Sequence, residues 1–239
     1  MDKKINFYTF SEFVNSQIAI DEFILIRHDV DRKPYNALIM AQMENRMGIK
    51  STYYFRHKKH TFIPEIIKSI QSLGHEIGYH YENLSDSNGN LSIALDDFKS
   101  KLKTFRNIVP IKTISMHGKP LKKFDNRDMW KNNKEFLNDC GIVGEIYLDI
   151  NYNQIAYISD TGRNWSQNKS NLRDKVNSSV ITDFHSKLEL IEFLKNNKNK
   201  KIVFQTHPER WTDNCFEWTG QLLKDKVINI IKSIIQYEK

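Results

Sequence analysis

Phe23-Ile24-Leu25-Ile26-Arg27-His28-Asp29-Val30-Asp31 is the stretch that decides the fold class of this chain. Four apolar residues in a row read as a buried strand, and the run stops in an arginine, a histidine and two aspartates. In chains that alternate strands with helices, the loops beyond the carboxyl ends of the strands converge on one rim, and binding groups collect there. The alternation continues downstream. Tyr35 to Met47 carries Ala37, Leu38, Met40, Ala41 and Met43 on a helical stripe, with Pro34 in the first turn and Gly48 as the stop. Ile49 to Phe55 reads as a strand, Ile63 to Leu73 as a helix closed by Gly74, and Glu76 to Tyr79 as a short strand running into His80. Leu91 to Phe105 has helical spacing, and the strand Thr113 to Met116 ends at His117. Farther on, Asp128 to Asn138 reads as a helix, Ile142 to Ile150 and Gln154 to Ile158 as strands, and Ser166 to Ser179 as a long loop. Leu188 to Leu194 reads as a helix and Lys201 to Gln205 as a strand ending in Thr206-His207, before a closing amphipathic helix over Val227 to Tyr237.

Parallel crossovers are right-handed and need intervening helices, so this order predicts an α/β protein, a distorted (β/α) barrel of about seven parallel strands. With 239 residues and no Pro/Gly/Ser-rich linker, residues 1–239 are expected to form one domain. No Gly-x-Gly-x-x-Gly or phosphate-loop signature is present, which removes the usual nucleotide-binding readings. The net charge of +7 comes from dispersed lysines and arginines without a recognition-helix or aromatic-platform pattern, so no nucleic-acid partner is expected. No apolar run suits a signal peptide or a membrane span, and Cys140 and Cys215 form no motif. Free thiols and a cytoplasmic location follow as expectations.

The strand ends carry the chemistry. Asp29 and Asp31, two apart on a strand, share a face, with Arg27 below them. Side-by-side carboxylates repel unless something positive lies between them, and a divalent metal is the usual partner. His80, His117 and His207 each close a strand on the same rim, and aspartate with histidine and an open position makes a catalytic metal site, zinc by default. His75 precedes its strand and reads as structural, His28 alternates away from the aspartates, and His57, His60 and His185 stand in polar surroundings. Asp160-Thr161-Gly162-Arg163-Asn164-Trp165 ends another strand with an acid, a base and an aromatic. Trp165, Trp211 and Tyr81 are candidates for stacking on a sugar ring.

Gly74-His75-Glu76-Ile77-Gly78-Tyr79-His80 closely resembles the Gly-His-Glu-Ile-Gly-x-His segment of the polysaccharide deacetylases, the NodB-homology or carbohydrate esterase 4 family. Arg27 to Asp31 resembles that family's Thr-Phe-Asp-Asp-Gly motif, Asp160 to Trp165 its fourth motif, and Phe204 to His207 the strand with its last histidine. With Ser115 to Gly118 and Pro208 to Trp211, the set is similar to the branch associated with bacterial surface-polysaccharide synthesis. The resemblance implies a distorted barrel and metal-dependent removal of an N-acetyl group from a carbohydrate. It implies Asp29 as general base, His80 as the first metal histidine and His207 as general acid. Val30 stands at the metal aspartate's position, so Asp31 is the substitute. Leu84 stands where the second metal histidine belongs, and His117 or Glu82 replaces it, His117 preferred. Glu82, Arg27, Asp160, Arg163 and Trp165 are expected to support the site or bind substrate. A sugar-binding relative with a decayed site and a metal hydrolase of another amide, such as a cyclic ureide, are the alternatives.

Overall fold

Strand and helix alternate as the pattern predicts, with differences that have local causes. The computed structural model describes residues 6–16, 22–119, 122–163, 165, 173–197 and 200–237. The chain opens with β1 (Phe7–Tyr8) and α1 (Phe10–Asn15), which the apolar pattern did not predict. The signal was present in Thr9-Phe10-Ser11-Glu12: the Thr9 hydroxyl takes the Glu12 amide and Glu12 takes the Thr9 amide, a reciprocal cap. Next come β2 (Phe23–Val30), α2 (Pro34–Arg46), β3 (Thr52–Phe55), α3 (Pro64–Ser72) and β4 (Glu76–Tyr81). A single turn, α4 (Asn83–Asp86), leads to α5 (Leu91–Arg106), capped by Asn90, and to β5 (Thr113–Met116).

The predicted helix over residues 128–138 is two pieces, a 3₁₀ segment Asn126–Trp130 and α6 (Lys134–Asp139). The Asn133 amide side chain reaches back to the Met129 carbonyl at the break. The predicted strand Ile142 to Ile150 keeps only β6 (Gly144–Glu145), because the Glu145 carboxylate gathers the amides of Met116, Tyr147 and Leu148 and turns the chain. β7 (Ala156–Ser159), α7 (Lys187–Asn196) and β8 (Lys201–Thr206) follow. The closing helix α8 (Cys215–Tyr237) is twice as long as its apolar stripe predicted, starting where the Asn214 side chain accepts the amides of Phe216 and Glu217. Of the predicted loop Ser166 to Ser179, residues 166–172 lie outside the described ones.

All pairings are parallel, in the order β6-β5-β4-β3-β2-β8-β7, with β1 lengthening the sheet beside the start of β2. The sheet curls into a barrel whose edge strands β6 and β7 do not pair among the described residues. Tyr147 and Tyr152 fill that seam, the latter edge-on to Tyr157. Strand alternation divides the side chains into two sets. Outward residues such as Tyr79 and Tyr81 pack on Phe98, Phe105 and Trp130 under the helices. Inward residues are polar and bonded to one another: Thr52 and Thr113 hold Glu76, while Gly78 leaves room for the Tyr54 ring, which a Cβ there would meet at 2.3 Å. No helix among the described residues is long and apolar enough to cross a membrane.

Candidate active site

β2 ends at Val30, whose side chain is fully buried in the apolar core. The next amide, that of Asp31, donates to the Asp29 carbonyl at 3.0 Å, a three-residue turn that folds the Asp31 carboxylate back over the strand end. This is how an aspartate one position late reaches the same rim. His80, last but one on β4, donates from Nδ1 to the Ser115 carbonyl at 2.9 Å, which leaves Nε2 as a lone pair. That nitrogen lies 3.5 Å from Asp31 Oδ1 and 3.6 Å from Asp29 Oδ2. His117 follows β5, tied through its backbone amide to Tyr81, and its Nδ1 stands 3.1 Å from Asp31 Oδ1.

One ligand atom each from Asp31, His80 and His117 lies within 4.8 Å of the other two. Asp31 Oδ1 is buried and accepts no hydrogen bond. Burial disfavours its charge, but His117 and then His80 hold the Asp31 carboxyl well below the usual range, whereas burial pushes the His80 imidazole down towards its neutral form. An ionised carboxylate, a neutral imidazole with its lone pair free and a second imidazole form a donor set that fits a divalent cation of the zinc class.

Asp29 is held differently. Its Oδ2 accepts from Arg27 Nη2 and from Gln205 Nε2, both at 2.7 Å, while Oδ1 is buried without a partner. Burial opposes ionisation, and the Arg27 guanidinium outweighs it, keeping the Asp29 carboxyl below its ordinary value. Arg27 is itself fully enclosed, donating to the Tyr147 hydroxyl at 2.7 Å with its guanidinium 4.5 Å from that ring's centre. Gln205 Oε1 takes the hydroxyls of Ser159 and Tyr157, so the amide nitrogen has to face Asp29. Gln205 was not singled out from the sequence, although it lies two residues before His207, which leaves β8 in extended conformation, so alternation puts the two on one face.

On the other side, His207 Nδ1 donates to Asp160 Oδ1 at 2.6 Å, and the His207 amide donates to Asp160 Oδ2 at 3.0 Å. Arg210 Nη1 and Trp211 Nε1 complete the shell of Asp160. Burial and Arg210 work against a charged imidazole, but Asp160 prevails and raises His207 to about 9. A cavity of about 390 Å³ at the carboxyl rim brings Asp29, Asp31, His80, His117 and His207 together.

The remaining expectations divide. Glu82 faces Arg56, Lys58 and Lys119 and lies outside the three-residue ligand cluster; burial opposes its charge, but His117, Arg56 and Lys119 hold its carboxyl at about 2. Arg163 pairs with Asp225 at 2.6 Å, and Trp165 packs on Phe204 and Trp211 in a small apolar cluster. Tyr81 follows His80 and so turns outward, fully buried against Phe98 and Trp130, which removes it as a sugar platform. Trp211 spends its indole N–H on Asp160. His60, which the sequence placed only in polar surroundings, lines the cavity with Nε2 3.3 Å from the Asp31 carbonyl. The motif Gly74 to His80 separates cleanly: Gly74 ends α3 at positive φ, His75 bonds Ser51 and the Ala41 carbonyl, and only His80 faces the cavity.

No family profile and no curated protein sequence matches the chain. Solved structures do. A family 4 carbohydrate esterase from Streptococcus mutans is 13% identical with a TM-score of 0.51, covering 95% of this chain and 88% of its own. A putative polysaccharide deacetylase from Mycobacterium smegmatis is 14% identical with a TM-score of 0.48, over 81% of this chain and 79% of that one. A family 4 pseudoenzyme from Bacillus anthracis is 11% identical with a TM-score of 0.49, covering 86% of this chain, which spans only 61% of the pseudoenzyme's length. At such identities the likeness is one of fold, and the fold is the barrel that the motifs imply: this chain shares its architecture with the carbohydrate esterase 4 polysaccharide deacetylases.

Proposed function

We propose that this protein is a metal-dependent carbohydrate N-deacetylase. The observation that carries the reading is the convergence, in one cavity, of a three-residue ligand cluster, a clamped carboxylate and a charged histidine. Asp31, His80 and His117 would hold the cation, zinc by the chemistry of the donors, and when bound it supplies an acidified water and a polarised amide carbonyl. Asp29 presents its unpartnered Oδ1 to take the proton of the attacking water, while Arg27 and Gln205 fix Oδ2 and keep the group ionised. His207, charged through Asp160, carries its second ring proton on Nε2, placed to protonate the departing amine nitrogen. Acetate and a free amino sugar are the products. The motif resemblance to the surface-polysaccharide branch supports a substrate among N-acetylated sugars of such polymers or their precursors.

The test is acetate release from a panel of N-acetylated sugars, sugar nucleotides and oligosaccharides with zinc, cobalt or nickel supplied. Release that Asp29→Asn and His207→Gln abolish is the expected result. A protein that binds metal stoichiometrically and yet releases acetate from none of them is not a carbohydrate deacetylase.

A further inference from the structure

α8 is an amphipathic helix with its faces reversed. The side chains that bond it to the barrel are polar and recur every four residues, Gln221, Asp225 and Asn229, which sets them on one side of the helix. Gln221 and Asp225 are buried. Asp225 accepts from Arg163 Nε at 2.6 Å and from Arg210 Nε at 3.3 Å, and its other oxygen takes the Gln221 amide at 3.0 Å. Asn229 Nδ2 donates to the Gly162 carbonyl at 3.0 Å, and Ile228 and Asn229 line the cavity. Apolar residues point the other way. Phe216, Leu223 and Val227, at intervals of seven and four, share the opposite side and are 86%, 59% and 56% exposed. The exposed Lys224 and Lys226 fall on either flank of that stripe.

A contiguous apolar stripe turned to water marks an interaction surface, and the charges around it decide which partner fits. Of the two acids on α8, Glu217 is paired with Lys33 at 2.9 Å and Asp225 is the buried anchor, so the stretch from Trp218 to Ile231 offers solvent lysines and no acid. In a two-fold pair of this chain each copy would present the same lysine-edged stripe to the other, and lysine would meet lysine. A bilayer with acidic phospholipids supplies both missing parts, acyl chains for the stripe and phosphates for the lysines beside it. The chain's net charge of +7 favours the same surface. We propose that α8 docks the protein on an anionic phospholipid surface, lying flat with Phe216, Leu223 and Val227 at the boundary of headgroups and acyl chains and with Lys224 and Lys226 beside the phosphates. Docking of this kind is independent of the reaction in the cavity, which lies on the other side of the same helix.

The test is sedimentation of the full chain with vesicles of phosphatidylcholine and phosphatidylglycerol in equal parts, beside vesicles of phosphatidylcholine alone. Partition onto the mixed vesicles about tenfold or more stronger than onto phosphatidylcholine is the expected result. The double variants Leu223→Gln/Val227→Gln and Lys224→Glu/Lys226→Glu change exposed side chains, so both should melt cooperatively like the parent. Each should nevertheless weaken partition onto the mixed vesicles about tenfold or more. Equal binding to the two vesicle types, or binding to neither, overturns the proposal. So does full binding by Leu223→Gln/Val227→Gln, because net charge alone would then hold the protein and α8 would have no part in it. A dimer in light scattering that the same variant dissolves would assign the stripe to a second copy of the chain and end the lipid reading.

Discussion

The two faces of β2 are built from the same chemistry and do opposite things. On the outer face His28 Nε2 donates to Glu44 Oε1 at 2.8 Å, and its Nδ1 lies 2.6 Å from the Thr206 hydroxyl. The Ser51 and Tyr53 hydroxyls donate to Glu44 Oε2, and His75 joins through Ser51. On the inner face, one residue along, Asp29 and Asp31 stand among His80, His117 and His207. The outer network leaves none of these polar atoms without a hydrogen bond, whereas Asp29 Oδ1 and Asp31 Oδ1 are buried and accept none, Asp31 Oδ1 having only the imidazoles of His117 and His80 within 3.5 Å. A buried polar group without a partner costs about 1–3 kcal/mol, so a fold keeps it where something else requires it. Satisfied histidines and acids fasten α2 to the sheet; the inner acids turn an oxygen without a hydrogen bond towards the cavity.

The largest effect that can separate the faces is loss of the cation. Asp31→Ala and His80→Ala are each expected to abolish stoichiometric metal and to lower kcat/KM by about 10³-fold or more, since each removes one of the three proposed ligands. Metal content of protein purified without added metal, measured beside acetate release, checks both. Retention of full metal by both variants would dismantle the cluster as a site. His207→Gln comes next. It is expected to keep the metal and lose about 10²–10⁴ in kcat, the range of a lost general acid.

The faces also differ in the direction of pH that breaks them. Burial opposes the Glu44 charge, but His28, Ser51 and Tyr53 hold the group at about 2 against an ordinary 4.5. A depressed carboxyl contributes stability that is complete above pH 4.5 and is lost as pH falls towards 2, about 3 kcal/mol for a shift of that size. His207 is the reverse case, raised from 6.5 to about 9, so its contribution is complete below pH 6.5 and is lost as pH rises through 9. Melting temperature against pH is therefore expected to show an acid limb that Glu44→Gln flattens and an alkaline limb that His207→Gln flattens. If His207 is the proposed general acid, acetate release should fall along the alkaline limb as it loses its proton. If Glu44→Gln flattens neither limb, the outer network is not the acid-sensitive fastening proposed for it.

The barrel was legible because its strands repeat a simple pattern, apolar residues ending in Asp29, His80, His117 and His207 at one rim. What escaped was set by groups with no periodic signal. Glu145 turns β6 after two residues by collecting amides, and Asn214 starts α8 twelve residues before its apolar stripe begins. The site shows the same division. Charged and imidazole side chains announce themselves at strand ends, whereas Gln205 is an ordinary amide until Ser159 and Tyr157 are seen to orient it towards Asp29. Asp31 was readable as a residue but not as a geometry, because its reach depends on the turn that its own amide makes with the Asp29 carbonyl.

The smallest effect tests the alternation itself. Tyr81 comes after His80 and points to the opposite face, where it is edge-on to Trp130 and its hydroxyl lies 3.4 Å from Glu145 Oε1. Tyr81→Phe keeps the ring and removes the hydroxyl with that long hydrogen bond, so it should cost about 1 kcal/mol or less in stability. A ring that never meets the cavity cannot change how tightly a sugar binds, and KM for any substrate that releases acetate should stay within about twofold of the parent. A rise in KM with unchanged stability would place Tyr81 in contact with substrate. β4 would then have to present successive residues to one face, which a pleated strand cannot do without a bulge between His80 and Tyr81, and the register of Tyr79, His80 and Tyr81 against Ile114, Ser115 and Met116 leaves no residue over to form one.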